Sequence, residues 1–348
     1  VGVIYTQNEV IAEPIKQAKE HLKDGKAQVI VCNAGNANAC TGEEGRKGAD
    51  AMAETTANEL GISKEMVIIA STGMIGVPFP TDDIVNGIKE NTNKLTNKSN
   101  AGSLAANAIL TTDTFAKEGY TNFEVNGTTY NIAGIAKGSG MIHPNMATML
   151  AFIVCDIAIS PELLQKTVKW AGDRSFNMIT VDGDTSTNDM CTVLANGMAE
   201  NEELTSENDE GYEIFRDKLL ELMVHLAKTI VSDGEGSSKF IEYKVVNSPE
   251  EETARKLIRT ISDSSLVKTA IYGRDPNWGR IICAAGNAGV SFDYETVDLY
   301  IGSEDRFVKL LEKGTPQEFD RNYMKKILRE SLVHITMDMQ AGSAQATG

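Results

Sequence analysis

The chain has 348 residues, 41% of them hydrophobic, which is enough to bury a substantial core in one large or two moderate domains. Its 33 basic residues against 49 acidic ones leave a net charge of -16, which would repel a phosphate backbone and argues against nucleic acid as a partner. No apolar run approaches the roughly 20 residues that a membrane helix needs, so we expect a cytoplasmic protein without membrane association.

Short apolar runs alternate with helical patterns along the chain, which predicts a mixed α/β fold. Strands are predicted at 28–33, 66–70, 123–125, 148–159, 239–247 and 296–302. Asn126-Gly127 stands between two extended segments and is typical of a two-residue hairpin turn.

Helix starts are visible at two places. Ser160 before Pro161 predicts one, and Ser248-Pro249-Glu250-Glu251 predicts another with a capping box. Residues 213–231 have apolar side chains at helical spacing, so His225 is expected to be a packed core residue rather than a ligand.

The cysteines are five in number, widely spaced and without a CxxC pair, so they predict neither a disulfide framework nor a zinc site. Cys155 and Cys283 are flanked by apolar residues and are expected to be buried thiols.

Four glycine-rich segments interrupt the regular patterns. They are NAGNANACTG (33–42), STGMIG (71–76), KGSGM (137–141) and VDGDTSTND (181–189). STGMIG follows the strand-like MVIIA directly, so we expect a sharp turn there, where amide N-H groups can converge on an anion as an oxyanion hole requires. Taken alone, such a segment is more often a glycine turn without a ligand.

Thr148 lies at the border between KGSGMI and a long apolar run. A threonine hydroxyl needs a base close by, and cutting the Ala147-Thr148 peptide bond would supply one, because the freed α-amine has a pKa near about 8. The cut can be made by the chain itself: the Thr148 hydroxyl attacks the Ala147 carbonyl, the acyl group moves from nitrogen to oxygen, and water hydrolyses the ester. The alternative is an ordinary threonine at a strand start.

Seven motifs in order carry a resemblance that covers most of the chain. They are NAGNANACTG, ASTGMIG, ILTTDT, KGSGMIHPNMATMLAFIVCD, VDGDTSTND, DGEGSSK and GRDPNWGR. Together they resemble the ornithine acetyltransferase family, also called the bifunctional glutamate N-acetyltransferases of arginine biosynthesis. The resemblance implies an α/β (α+β) fold with sheets sandwiched between helical layers, self-cleaving and similar in its nucleophile logic to N-terminal-nucleophile enzymes.

The resemblance also implies a division of the chain and its partners. Cleavage after Ala147 would give an α fragment, 1–147, which carries the oxyanion hole, and a β fragment, 148–348, with Thr148 as its new N-terminus. The fragments are expected to stay associated, in an oligomer of more than one αβ unit, and to need no metal or organic cofactor. The family's C-terminal tail and first strand find no match here, so we expect further residues beyond both ends.

Roles carry over from the family residue by residue. Thr148 is similar to the acetyl acceptor of a ping-pong reaction from N2-acetylornithine to glutamate, and Thr72 with Gly73 to the oxyanion-hole pair. Thr111, Lys137 and Glu235 resemble the residues that contact the small-molecule substrate. The motifs leave open whether acetyl-CoA also loads the enzyme.

Three other functions compete with this one. A self-processed amidohydrolase or aminopeptidase would use the same nucleophile with water as the acceptor. Asp182, in the pattern Asp-x-Asp-x-Thr after an apolar run, suggests the aspartyl nucleophile of a magnesium-dependent phosphatase. In the third, a non-catalytic binding protein, the chain would stay intact.

Overall fold

The computed structural model describes residues 1–143 and 149–348, so the predicted cleavage residues Ala147 and Thr148 lie outside the described residues. The chain forms two compact units. The first contains Val1–Asn177 and Asp184–Gly234, and the second Met178–Gly183 and Glu235–Gly348. The predicted boundary between the fragments falls inside the first unit.

Strands of the first unit belong to two sheets. Its strands are β1 (Gly2–Tyr5), β2 (Val29–Asn36), β3 (Val67–Met74), β4 (Lys117–Val125), β5 (Thr128–Lys137), β6 (Leu150–Cys155) and β7 (Met190–Ala195). A five-stranded sheet has the order β1-β7-β6-β5-β4, and β2 pairs with β3 in parallel. The β6–β7 pair is parallel and the other pairs of the larger sheet are antiparallel.

The β4–β5 hairpin confirms the predicted turn. Val125 pairs with Thr128, and the two residues between them have positive φ angles of 51° at Asn126 and 79° at Gly127. Asparagine and glycine tolerate this backbone conformation better than other residues, so they set the register of the hairpin that ends at Lys137.

Helices of the first unit cover its sheets. They are α1 (Glu13–His21), α2 (Gly42–Leu60), α3 (Thr81–Thr92), α4 (Ala101–Ala108), α5 (Pro161–Gly172) and α6 (Tyr212–Ser232). Ser160 caps α5 by accepting a hydrogen bond from the Leu163 amide, as predicted. The helix predicted at 213–231 is α6, but His225 is exposed rather than packed in the core, because its ring reaches the Glu118 carbonyl on the rim of the sheet.

Side chains on the two faces of β3 pack against different layers of the first unit. Ile68 and Ala70 pack with α1 and with Phe152 of β6, while Val67 and Ile69 on the other face pack on α2. Helices α5 and α6 contact the larger sheet. The predicted arrangement of sheets between helical layers is confirmed in this unit.

The second unit contains a six-stranded sheet with the order β11-β10-β9-β12-β8-β13. The strands are β8 (Phe240–Ser248), β9 (Asp298–Ser303), β10 (Arg306–Glu312), β11 (Thr315–Pro316), β12 (Leu332–Asp338) and β13 (Ala344–Thr347). The helices are α7 (Glu251–Asp263), α8 (Ser265–Tyr272), α9 (Gly279–Gly286) and α10 (Arg321–Ile327), whose apolar side chains share one core with the sheet.

Two predictions in this unit are wrong in detail. Ser248 does not cap α7: it belongs to β8, and its hydroxyl donates to the Glu250 carbonyl. Cys283 is exposed on α9, whereas Cys155 on β6 is buried as predicted. Across the described ranges, no helix is both long and apolar enough to span a bilayer.

Candidate active site

Strands β2 and β3 place the predicted oxyanion-hole residues. The sharp turn expected directly after residue 70 is wrong, because Ser71 to Met74 continue β3, paired in parallel with the start of NAGNANACTG in β2. Thr72 is buried, whereas the next residue, Gly73, is exposed and has a φ of 136°. A Cβ at Gly73 would lie 2.2 Å from the carbonyl carbon of Gly35, so only glycine fits this close approach of the two strands.

Lys137, the last residue of β5, joins two of the predicted positions. Its buried ammonium donates hydrogen bonds to the hydroxyl oxygens of Thr72 at 3.1 Å and Thr111 at 2.8 Å. Because an ammonium group can only donate, both threonine oxygens act as acceptors here, and each hydroxyl keeps its own proton for another acceptor.

A second lysine and two aspartates extend this arrangement into the interior. Asp113 lies 3.7 Å from the Lys137 ammonium, and its other oxygen accepts from the Lys117 ammonium at 2.7 Å and from the Gly138 amide at 2.7 Å. Lys117 is fully buried and also donates to Asp233 at 2.7 Å. Positive and negative groups therefore alternate in the order Lys137, Asp113, Lys117 and Asp233, which we call the charge chain.

The charge chain connects the two segments that carry the predicted substrate residues Thr111 and Lys137. The Thr111 amide donates to Asp113, and the Ser139 hydroxyl donates to the carbonyl of Asp233, so the TTDT and KGSG segments are fixed to each other. Sequence reasoning missed Asp113, Lys117 and Asp233. Asp113 and Asp233 do lie within two residues of Thr111 and Glu235, but nothing in that spacing indicates the buried lysine between them.

Burial and ion pairing shift the pKa values of these groups in opposite directions. Burial lowers the pKa of Lys137, and the negative charge of Asp113 opposes that effect. Burial alone would raise the pKa of Asp113, but hydrogen bonds from Lys117 and Gly138 hold it below its ordinary value. Asp113 therefore contributes stability that is present at neutral pH and is lost as the pH falls through its depressed folded-state pKa.

The end of VDGDTSTND packs against the oxyanion-hole strands. The Asn188 side chain donates to the carbonyls of Ala37 at 2.5 Å and Ser71 at 2.9 Å, which ties two of the glycine-rich segments together. Asp189 accepts a hydrogen bond at 2.9 Å from the amide of Met149, the residue after Thr148. Asp182, the residue of this motif that the phosphatase alternative requires, is exposed, whereas Asn188 and Asp189 are buried.

The phosphatase alternative loses its structural basis. Asp182 is exposed, and the residues directly before it form a short 3-10 turn at Phe176–Met178 and loop rather than the strand that such a nucleophile would follow. Within residues 1–143 and 149–348, no three His, Cys, Asp or Glu side chains are grouped as a metal site would require.

Glu235 is the remaining predicted substrate residue. It is exposed and belongs to the second unit, two residues after Asp233. The structure thus brings together Thr72, Gly73, Thr111 and Lys137 in the first unit, while the part played by Glu235 stays a prediction.

Replacing Lys117 by methionine should destabilise the protein strongly, because Asp113 and Asp233 would remain as buried carboxylates without their common cation. Removal of one partner from a buried ion pair typically lowers the free energy of unfolding by about 3–5 kcal/mol. Denaturant unfolding in a Thr148→Ala background, where every variant is a single chain, measures the loss.

Lys166→Met is the matched control, since Lys166 pairs with Glu207 at 2.7 Å on the surface, and this substitution should change the free energy of unfolding little. Equal effects of the two substitutions would contradict the assigned importance of the charge chain.

Comparison with known proteins assigns the chain to a family. The profile of the ArgJ family matches residues 1–348. The arginine biosynthesis bifunctional protein ArgJ of Symbiobacterium thermophilum is 45% identical over 344 residues, which cover 99% of this chain and 84% of the relative. The protein of the same name from Staphylococcus epidermidis strain RP62A is 45% identical over 346 residues, which cover 99% of this chain and 85% of that relative. A crystal structure of the Bacillus halodurans protein of the same name covers 57% of this chain and 91% of the solved chain, with 39% identity and a TM-score of 0.53. The chain therefore belongs to the ArgJ family, which confirms the predicted fold and the prediction that it is an acyltransferase enzyme of arginine biosynthesis.

Proposed function

We propose that this enzyme transfers the acetyl group of N2-acetylornithine to glutamate through an acetyl ester on Thr148. The observation that carries the proposal is the hydrogen bond from the Lys137 ammonium to the Thr72 hydroxyl. This bond fixes Thr72 as an acceptor toward Lys137 and so directs its own proton elsewhere. With the adjacent backbone of Gly73, the hydroxyl supplies the donors that a tetrahedral intermediate needs for its oxyanion.

Lys137 provides the group that both substrates require. Acetylornithine and glutamate share an α-carboxylate, and two of the three donors of the Lys137 ammonium are used by Thr72 and Thr111. The third donor is available to a carboxylate, because the nearest carboxyl oxygen of Asp113 is 3.7 Å away. Thr111 is exposed beside it and offers its hydroxyl proton to the same ligand. For Glu235 we propose only the chemical role of binding an amino group of the substrate.

The proposed reaction has two acyl transfers. The Thr148 hydroxyl attacks the acetyl carbonyl of acetylornithine, its proton passes to the α-amine of Thr148, and ornithine leaves with a proton on its nitrogen. The amine of glutamate then attacks the acetyl ester, giving N-acetylglutamate and restoring the Thr148 hydroxyl. Acetyl-CoA would enter as an alternative donor to the same hydroxyl.

Self-cleavage after Ala147 is compatible with the sheet of the first unit. The α fragment would contribute β1, β4 and β5, and the β fragment β6 and β7, so in the order β1-β7-β6-β5-β4 the two strands of the β fragment lie between strands of the α fragment. Backbone hydrogen bonds of the β1–β7 and β5–β6 pairs would then connect them. The solved Bacillus halodurans chain is shorter than this one, since 91% of it covers only 57% of this chain, which is also compatible with a family whose chains are cut.

Mass spectrometry of the denatured wild type should show two fragments that meet at Ala147 and Thr148, and Thr148→Ala should stay whole, because the substitution removes the attacking hydroxyl. The same two proteins are then assayed with acetylornithine, with and without glutamate. N-acetylglutamate should form only with the cleaved protein.

Release of acetate at the same rate without glutamate would indicate an amidohydrolase instead. An uncleaved wild type that transfers no acetyl group would contradict the proposal as a whole. Replacing acetylornithine by acetyl-CoA in this assay decides whether the enzyme accepts the second donor.

Thr72→Val should lower kcat by about 100- to 1000-fold with little change in KM, because the substitution keeps the shape of the side chain and removes one oxyanion donor. Steady-state kinetics with acetylornithine and glutamate measure both parameters. Thr129→Val, on the exposed face of β5, is the matched control and should keep wild-type kinetics. An unchanged kcat in Thr72→Val would show that the hydroxyl is not an oxyanion donor.

The cleaved fragments should elute together from a gel-filtration column under native conditions and separate only in denaturant, since they share one sheet and one core. Native mass spectrometry of the same peak should give the sum of the two fragment masses or a multiple of it. Two separate native peaks would contradict the shared sheet.

A further inference from the structure

Asp189, directly before β7, is a carboxyl group with an unusual environment. The residue is fully buried, and one of its oxygens, Oδ1, accepts the hydrogen bond from the Met149 amide. Its other oxygen, Oδ2, is also buried and has no hydrogen-bond partner in the part of the chain that the structure describes. A buried acceptor without a donor is uncommon in native proteins and destabilises the fold, so a partner for it is expected.

The charged group that acts on Asp189 among the described residues is Lys137 of β5. Lys137 is itself hydrogen-bonded to two hydroxyls and faces Asp113. Burial raises the pKa of Asp189 well above its ordinary value, while the Met149 amide, the Ser186 hydroxyl and Lys137 oppose this only in part. The carboxyl group therefore takes its neutral form readily until a further cation comes near.

Covalent geometry brings such a cation close. The amide nitrogen of Met149 is bonded to the carbonyl carbon of Thr148, and only three bonds separate it from the nitrogen of Thr148, a distance of about 2.7–3.7 Å in any backbone conformation. Asp189 thus lies within one residue of the nitrogen that cleavage would free. The cut would create up to three N-H donors one residue before the amide that Asp189 binds, while Oδ2 of Asp189 lacks a donor.

We propose that Asp189 is a positioning residue for the α-amine of Thr148: its Oδ2 accepts a hydrogen bond from that amine and stabilises the ammonium each time one forms. The inference rests on the proposed function, because it needs Thr148 as a terminal nucleophile. It resembles the task of the aspartate in a Ser-His-Asp triad, which orients the base and stabilises its protonated form.

The bonds and protons of the cleavage step can be followed with Asp189 next to the nitrogen of Thr148. The Thr148 hydroxyl oxygen bonds to the carbonyl carbon of Ala147, the carbon-nitrogen bond breaks, and the hydroxyl proton ends on the nitrogen. The amine then takes the proton of the neutral Asp189 carboxyl, giving an ammonium and a carboxylate. A protonated amine cannot attack the new ester, so the acyl group stays on oxygen until water hydrolyses it to the Ala147 carboxylate and the Thr148 hydroxyl, with one proton released to water.

A carboxylate beside the amine also sets the pH dependence of acyl transfer. The amine must be unprotonated to accept the hydroxyl proton, and a neighbouring negative charge raises its pKa. The acid limb of kcat/KM should therefore lie at higher pH in the wild type than in a variant without that charge. Lys137 faces the same space and acts in the opposite direction, but it is present in both proteins.

The test substitutes asparagine for Asp189. Asp189→Asn keeps nearly the same size, and its oxygen keeps the hydrogen bond from Met149, so only the charge and one acceptor are lost. Asp184→Asn is the matched control, a carboxyl-to-amide change at an exposed position of the same segment. We measure the rate of chain cleavage in the full chain and then the pH profile of kcat/KM with acetylornithine and glutamate.

We expect Asp189→Asn to cleave at least about tenfold more slowly than the wild type and the control, and its acid limb to move to lower pH. A loss of packing alone would lower the rates without moving the limb. An unshifted acid limb overturns the inference, whatever the rate of cleavage, and leaves the proposed function intact. A wild type that neither cleaves nor transfers acetyl groups removes the proposed function, and this inference with it.

A measurement on the wild type alone decides the matter if Asp189→Asn fails to fold or to cleave. Reductive methylation of the cleaved enzyme at a series of pH values, followed by mass spectrometry of the Thr148 peptide, gives the pKa of its α-amine. Pairing with Asp189 should place that pKa above the ordinary value of about 8. A value at or below about 8 overturns the inference, since burial without a partner lowers the pKa of an amine.

Discussion

The buried ammonium of Lys137 is the interaction on which the candidate site depends. It fixes the hydroxyls of Thr72 and Thr111, which come from different segments, and it stands at the outer end of a chain of alternating charges that continues to Asp233. Burying a lysine is unfavourable unless its charge is compensated, and Asp113 provides that compensation. The charge chain thus opposes the lowering of the Lys137 pKa by burial, and in the interior the charge of its ammonium is least screened by water.

Much of the fold is visible in the sequence because local signals and tertiary packing agree. The Asn126-Gly127 turn, the cap at Ser160 and the periodicity of α6 each satisfy a local rule and are found in place. The failures have physical reasons. Ser71 to Met74 look like the start of a turn because glycine disfavours strands, yet parallel pairing with β2 and the close approach at Gly35 keep them extended. The serine predicted to cap α7 is held in β8.

The site was harder to predict than the fold because its chemistry depends on contacts between distant segments. The motifs identified Thr72, Gly73, Thr111 and Lys137, and geometry joins three of them through one ammonium. Lys117 has no such signal: in the sequence it is a lysine at the start of a strand, and its importance comes from Asp233, 116 residues further along the chain. Asn188 is similar, since its two carbonyl partners lie 117 and 151 residues away.

Charge balance links the charge chain to Asp189. The described residues at the site include the ammonium groups of Lys117 and Lys137 and the carboxyl groups of Asp113, Asp233 and Asp189. Burial raises the pKa of Asp189, whereas hydrogen bonds from Lys117 help to lower the pKa values of Asp113 and Asp233; with Asp189 neutral, the two positive and two negative charges of the other groups are equal in number. An ammonium at Thr148 would allow Asp189 to ionise, giving three positive and three negative charges. Hydrolysis also leaves the carboxylate of Ala147 and releases one proton to water, so the Thr148 ammonium would stand between two new carboxylates, and pairing with Asp189 would compensate its charge where it is buried.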